Sequence, residues 1–270
     1  MTTDRNPQAQ QMGDESMARN LAFQAQAIWP QEQALFERYG LSGAIRILDL
    51  GCGTGEITQR LARRYPQAQI AGIDILDSNL QIARRLNADP RIAYAVGDAF
   101  ALQFPAAHFD LVVCRHMSQA VPHFPLVLDE IGRVLKPRGW LHLLSEDYAM
   151  LRMPRGERDP DRFWVENALV YLESIGCDGR IGRHSPPLLE QRAYAAIAVD
   201  YIIVDTLRVP RATFAGILHA WRDGYVEPLA QATGRDRAEV CADFDAMISA
   251  VETPPHYAVW HMPVISGRRP

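Results

Sequence analysis

Three carboxylates and three glycines in the first hundred residues have types and spacing suited to gripping a nucleoside. The stretch AIRILDLGCGTGEI, residues 44–57, ends an apolar run at Asp49 and then sets Gly51, Gly53 and Gly55 at every second position. Glycine inside regular structure costs roughly 0.5–1 kcal/mol relative to alanine. Three in a row therefore imply a ligand that lies against bare backbone. A dinucleotide loop uses G-x-G-x-x-G to seat a pyrophosphate on a helix N-terminus. Here the pattern is G-x-G-x-G, and Glu56 stands where the last glycine of that motif belongs. A carboxylate there suits a cationic ligand better than a pyrophosphate. Asp74, followed by Ile75, stands 23 residues after Gly51 and can accept from both hydroxyls of a ribose. Asp98, in VGDAF, can take the exocyclic amine of an adenine while Ala99 and Phe100 flank its ring.

Groups able to move a proton come later. His116 and His123 lie in CRHMSQAVPHF, and Glu146, Asp147 and Tyr148 follow LHLLS. Histidine titrates near neutrality, which suits removal of a proton from a phenol, amine or thiol. Of these, His116, His123 and Glu146 are the catalytic candidates. Arg115 and Arg19 are candidates for pairing with a carboxylate of the ligand. Trp29, Phe163, Trp164, Trp221 and Tyr225 are candidate pocket aromatics, a role that competes with plain core packing.

These residues need elements to hold them. Apolar runs at 45–50, 69–74, 91–98, 109–115 and 139–147 alternate with amphipathic stretches, in which Ile57, Leu61 and Tyr65 share a helical face. Strand and helix in turn at this spacing predict a parallel sheet covered on both faces. Two further extended runs, 197–206 and 256–266, close the chain. In an open parallel sheet a ligand lies beyond the carboxyl ends of the strands, and Asp49, Asp74 and Asp98 close three successive ones. Residues 17–40 read as a lid helix, 148–187 and 209–253 as helical insertions within a single domain 17–270, and 1–16 as a disordered tail.

Composition narrows the chemistry. Hydrophobic residues make up 48% of the 270, enough for one large core, and no apolar run reaches the roughly 18 residues of a membrane span. With no segment resembling a signal peptide at the start, a cytoplasmic chain without a membrane partner is expected. A net charge of −4 offers no track for nucleic acid. Among 28 basic residues only Lys136 is a lysine, which argues against Schiff-base chemistry. Cys52, Cys114, Cys177 and Cys241 are too scattered to suggest a disulfide framework or a metal site.

At ILDLGCGTG, GID, GDA, FDLVVCRHM and EIGRVLKPRGWLHL the sequence resembles the class I S-adenosylmethionine-dependent methyltransferases, in particular their UbiE-like small-molecule group. The resemblance covers residues 45 to about 147. It implies an α/β, Rossmann-like fold with a seven-stranded, mostly parallel sheet, helices on both faces, helical lid insertions, and the last two strands as an antiparallel hairpin. It also implies S-adenosyl-L-methionine as cofactor, bound by Asp49, Gly51, Gly53, Gly55, Asp74, Ile75, Asp98, Ala99 and Phe100 with Arg19 and Arg115 at its methionine end. The expected activity is methyl transfer to an oxygen, nitrogen, sulfur or carbon atom of a small molecule, by a monomer or homodimer. A cofactor-binding partner without catalysis, or a nicotinamide oxidoreductase, are the alternatives.

Overall fold

The computed structural model describes residues 4–270. Its sheet runs β1 (Arg46–Leu50), β2 (Gln69–Asp74), β3 (Ile92–Val96), β4 (Phe109–Arg115), β5 (Leu135–Leu144), β6 (Leu151–Arg152), β7 (Ala195–Asp205) and β8 (Val259–Arg268). The helices are α1 (Ala9–Met12), α2 (Glu15–Glu32), α3 (Glu56–Arg64), α4 (Asp77–Leu86), α5 (Phe124–Val134), α6 (Pro160–Phe163), α7 (Leu169–Ser174), α8 (Ile181–Glu190), α9 (Arg211–Thr233) and α10 (Arg237–Glu252). Strand order is 3-2-1-4-5-8, with β7 antiparallel on the outer side of β8. The first five strands are parallel.

The expected sheet had seven strands; among the described residues it has eight. The added strand is the two-residue β6, and its cause lies in the length of β8. Only Val264–Arg268 of β8 pairs with β5, which leaves the start of β8 without a neighbour on that side. Leu151 and Arg152 pair with Trp260 and Val259 there, so the chain leaving β5 closes an edge that would otherwise be open. The hairpin of β7 and β8 forms as expected, with α9 and α10 inserted between its strands.

Alternate residues of each inner strand feed opposite faces. Ile47, Ile70, Leu111 and Val113 pack with Phe36, Ile57 and Leu61 on one side. Leu48, Leu50, Val112 and Cys114 pack with Leu128, Ile131, Ile181 and Leu189 on the other. A third core, built from α7, α9, α10 and the start of β8, lies over the carboxyl end of the sheet around Trp164, Trp221, Phe244 and Trp260. The N-terminal expectation needs correction: residues 1–3 lie outside the described residues, but within the supposed tail Ala9–Met12 is helical, Gln8 is buried, and Asp14 caps α2 by accepting from the Ser16 amide. The lid helix likewise ends at Glu32, and Leu35–Tyr39 is a separate 3-10 turn.

Candidate functional site

Strand order reverses between β1 and β4, and a crevice opens beyond their carboxyl ends, as such a switch point requires. It encloses about 1320 Å³ of non-atom space, its open mouth included. The β1 loop, the ends of β2 and β4, helix α2 and both insertions line it.

In the loop after β1, Gly51, Gly53 and Gly55 all have positive φ, at 73°, 52° and 79°. Bare backbone facing a ligand is not the main reason they are glycine. A Cβ on Gly53 would lie 2.6 Å from Leu21 Cδ1, and one on Gly55 would lie 2.4 Å from the Tyr94 hydroxyl. The loop is left-handed and roofed by protein, with α2 laid directly on it. Gly53→Ala is expected to cost about 1–2 kcal/mol through left-handed strain alone, seen as a melting temperature lowered by roughly 3–8 °C; an unchanged melting point would show that the turn relaxes freely.

Asp74 ties this loop together. Its two oxygens accept from the Gly53 amide at 2.8 Å and the Leu76 amide at 2.9 Å, and it lines the crevice beside Ile75. Burial raises its pKa, against those backbone donors. Asp49 does something else: it is buried beneath the loop and accepts from Thr58 Oγ1 at 2.6 Å, which pins α3 to the end of β1. Burial pushes its carboxyl up to about 6, against the pull of that hydroxyl. Asp98 caps its own turn by accepting from the Phe100 amide. Arg5 lies 4.0 Å from Asp98 and stacks 5.2 Å over the Phe100 ring. Gly97 and Ala99 line the crevice, whereas Asp98 and Phe100 lie outside its wall. Glu56 also points elsewhere, into a 2.6 Å pair with Arg60, so its charge does not select the ligand.

The two arginines part company. Arg19 lies on the outer face of α2 and pairs with Glu15 and Asp223. Arg115, at the end of β4, lines the crevice; its Nε donates to buried Glu32 of α2 at 2.7 Å while its buried Nη2 has no partner. Two α2 amides that the sequence reading missed stand on the same wall: Asn20 Oδ1 and Gln24 Oε1 are buried and unpartnered. Their i, i+4 spacing puts both on one helical face, and that spacing was the only available signal.

Of the proton-transfer candidates, the structure brings two together. His116, in a left-handed conformation just past β4, sits with Nδ1 2.7 Å from Glu146 Oε1. Both are buried and both line the crevice. A carboxylate can only accept, so Nδ1 is the donor in this pair, and in the neutral imidazole Nε2 is the free acceptor. Nε2 and Glu146 Oε2 have no partner. His123 is exposed at the start of α5, outside the crevice. Asp147 is bound by Arg183. Trp164, Trp221 and Tyr225 do line the crevice, while Trp29 and Phe163 belong to neighbouring cores.

Residues 47–139 match a family described as "Methyltransferase domain". The chain is 33% identical over 113 residues to a fatty-acid O-methyltransferase of Mycolicibacterium smegmatis, covering 42% of this chain and 41% of that one. It is 33% identical over 159 residues to a demethylmenaquinone methyltransferase of Lactococcus lactis, covering 57% and 61%. It thus spans about half the length of the first curated relatives it matches. Among solved structures, a [4+2]-cyclase, SpnF, superposes with a TM-score of 0.55 at 23% identity, over 88% of this chain and 80% of that one.

Proposed function

Taking as premise that the chain carries a class I, S-adenosylmethionine-type methyltransferase domain, we propose that it transfers the methyl group of S-adenosylmethionine to a hydroxyl of a small molecule. One observation carries this: a single crevice is lined both by the Asp74-anchored glycine loop and by the His116–Glu146 pair. The fold by itself carries less, since a cyclase shares it.

The residues present fit the cofactor. Asp74 keeps lone pairs free for ribose hydroxyls beyond the two amides that it holds. The unpartnered Arg115 Nη2 offers a donor to an amino-acid carboxylate, and the amides of Asn20 and Gln24 offer acceptors to its ammonium. Buried polar atoms left without partners cost about 1–3 kcal/mol each, so a zwitterion that satisfies three at once is favoured. When bound, the cofactor supplies an electrophilic methyl on a sulfonium. The protein's work is to exclude water, align the acceptor, and take its proton. Alignment of two reactants supplies up to ~7–11 kcal/mol, and His116 Nε2 is the proton acceptor, steadied by Glu146.

Calorimetric titration with S-adenosylmethionine tests the first half. Asp74→Asn keeps the shape but removes the charge, and a hydrogen bond to a charged group contributes ~1.5–3 kcal/mol. Cofactor affinity is therefore expected to fall by about 10- to 100-fold. Equal affinity in the variant would move the ribose elsewhere, and binding of NADH in preference to S-adenosylmethionine would end the proposal.

A further inference from the structure

The part of the crevice that the cofactor residues do not use has its own chemistry. Tyr148, Trp164, Tyr171, Trp221, Tyr225 and Phe244 all line it, and every one comes from the two insertions or the turn that leads into them. Their rings meet in two groups, Tyr148, Trp164, Trp221 and Phe244 in one and Tyr171 with Tyr225 in the other. Tyr148 stacks on Trp164 at 5.8 Å, Trp221 meets Trp164 edge-on at 5.6 Å, and Tyr171 meets Tyr225 edge-on at 6.1 Å. Trp164 reaches the crevice from a single π-helical turn, Trp164–Ala168, a distortion that often marks functional sites.

Charge is scarce here. Among the described residues, the charged ones that line the crevice are Asp74, Arg115 and Glu146. Arg115 is already matched by Glu32 and Asp74 belongs to the loop. Among the described residues no further cation lines the crevice to meet a carboxylate or phosphate on the acceptor. Burial raises the pKa of Tyr148, Tyr171 and Tyr225 alike, as expected of a wall that resists ions.

Hydrogen-bonding capacity remains unspent. Tyr225 donates to Gln8 Oε1 at 2.9 Å, which leaves the buried Gln8 Nε2 donors unpartnered, and the Trp164 indole N–H is also buried without an acceptor. Opposite in sense are His116 Nε2 and Glu146 Oε2, both unpartnered, which accept when the imidazole is neutral and the carboxyl ionised. From this pairing we infer that the acceptor is a neutral, flat aromatic alcohol that presents its hydroxyl to His116 and a second oxygen, a carbonyl or ether, to Gln8 and Trp164. The inference rests on the methyl-transfer reading and names its substrate class. In the step the acceptor O–H bond breaks toward His116 Nε2, giving an imidazolium beside Glu146. The oxygen lone pair forms the new O–CH3 bond as the methyl–sulfur bond breaks. That bonding pair stays on sulfur as a neutral thioether, and the imidazolium returns its proton to water.

A matched ring series tests this with S-adenosylhomocysteine present: 1-naphthol, 4-acetyl-1-naphthol, 1-naphthoate and 1-naphthylmethylammonium, each titrated by calorimetry. The naphthols should bind at least about tenfold more tightly than the anion or the cation. Trp164→Phe keeps a ring but removes the N–H, and a hydrogen bond of ordinary strength corresponds to about three- to tenfold in affinity. That loss should appear for 4-acetyl-1-naphthol and not for 1-naphthol. Equal or tighter binding of the naphthoate or the ammonium overturns the inference, as does an equal effect of Trp164→Phe on both naphthols. Methylation of a carboxylate or amine without naphthol binding sinks it while sparing methyl transfer. Naphthol binding in this pattern without turnover of any acceptor spares the substrate class and sinks methyl transfer.

Discussion

His116→Gln lowers kcat for a hydroxylic acceptor such as 1-naphthol by about 10²- to 10⁴-fold, the range lost when a positioned general base is removed. The argument is geometric before it is electrostatic. Nδ1 is committed to Glu146 at 2.7 Å and Nε2 is buried, unpartnered and part of the crevice wall, so the imidazole is oriented and its free nitrogen has one use. Cofactor affinity, read separately by calorimetry, should be unchanged, because the loop and α2 contacts do not involve His116. The decisive control is an acceptor that needs no base. With 2,4-dinitro-1-naphthol, ionised at neutral pH, the kcat penalty of His116→Gln should shrink below about tenfold. Glu146→Gln should cost roughly 10²-fold with 1-naphthol, since an amide holds the ring without stabilising the imidazolium. An equal penalty for both naphthols would make His116 a wall residue and leave catalysis to alignment.

Much of the positioning was legible in the sequence because it is local. The run Phe109–Arg115 is a strand to the residue, the β1 loop and Asp74 are where their spacing put them, and α9 with α10 fills the predicted insertion inside the hairpin. What failed was long-range. Glu56 argued well against a pyrophosphate until Arg60, one turn on, claimed it. His116 and His123 looked equivalent, seven residues apart in one loop, but the chain turns back between them to start α5, which leaves one buried against Glu146 and the other exposed. Glu146, the candidate of the two, and its neighbour Asp147 point opposite ways, as successive residues in extended chain do, one to His116 and the other to Arg183. Gln8, Asn20 and Gln24 carried no motif at all, because their role exists only once the N-terminal helices lie across the sheet end.

That placement of α2 depends on a buried charge chain, and breaking it should have the largest effect on stability. Glu32, fully buried at the end of α2, accepts from Arg115 Nε at 2.7 Å and from His142 Nε2 at 3.0 Å, and the Tyr39 hydroxyl in turn donates to His142 Nδ1 at 2.7 Å. Burial alone pushes the Glu32 carboxyl up, yet Arg115 and His142 together bring it down to about 2. Glu32→Ala leaves the Arg115 guanidinium buried without its counter-charge, a change expected to cost about 3–5 kcal/mol. Glu32→Gln keeps the shape and isolates the charge. Its deficit has a definite pH dependence. A carboxyl whose folded pKa lies below its unfolded value stabilises the fold above the unfolded value, about 4.5, and that contribution is lost as pH falls toward about 2. A shift of this size corresponds to ~3 kcal/mol. The gap in unfolding free energy between the native chain and Glu32→Gln, measured by urea titration, should therefore be flat from pH 8 to 5 and close steadily below that. A gap that stays constant down to pH 3 would mean that Glu32 is not held as an ion. Because Arg115 Nη2 and the amides of Asn20 and Gln24 share the wall that this chain steadies, Glu32→Gln should also weaken S-adenosylmethionine binding by about tenfold, the loss of roughly one hydrogen bond to a charged group. Folded variant with full cofactor affinity would separate the chain's structural role from the site, and the lid helix would then be held by its apolar face alone.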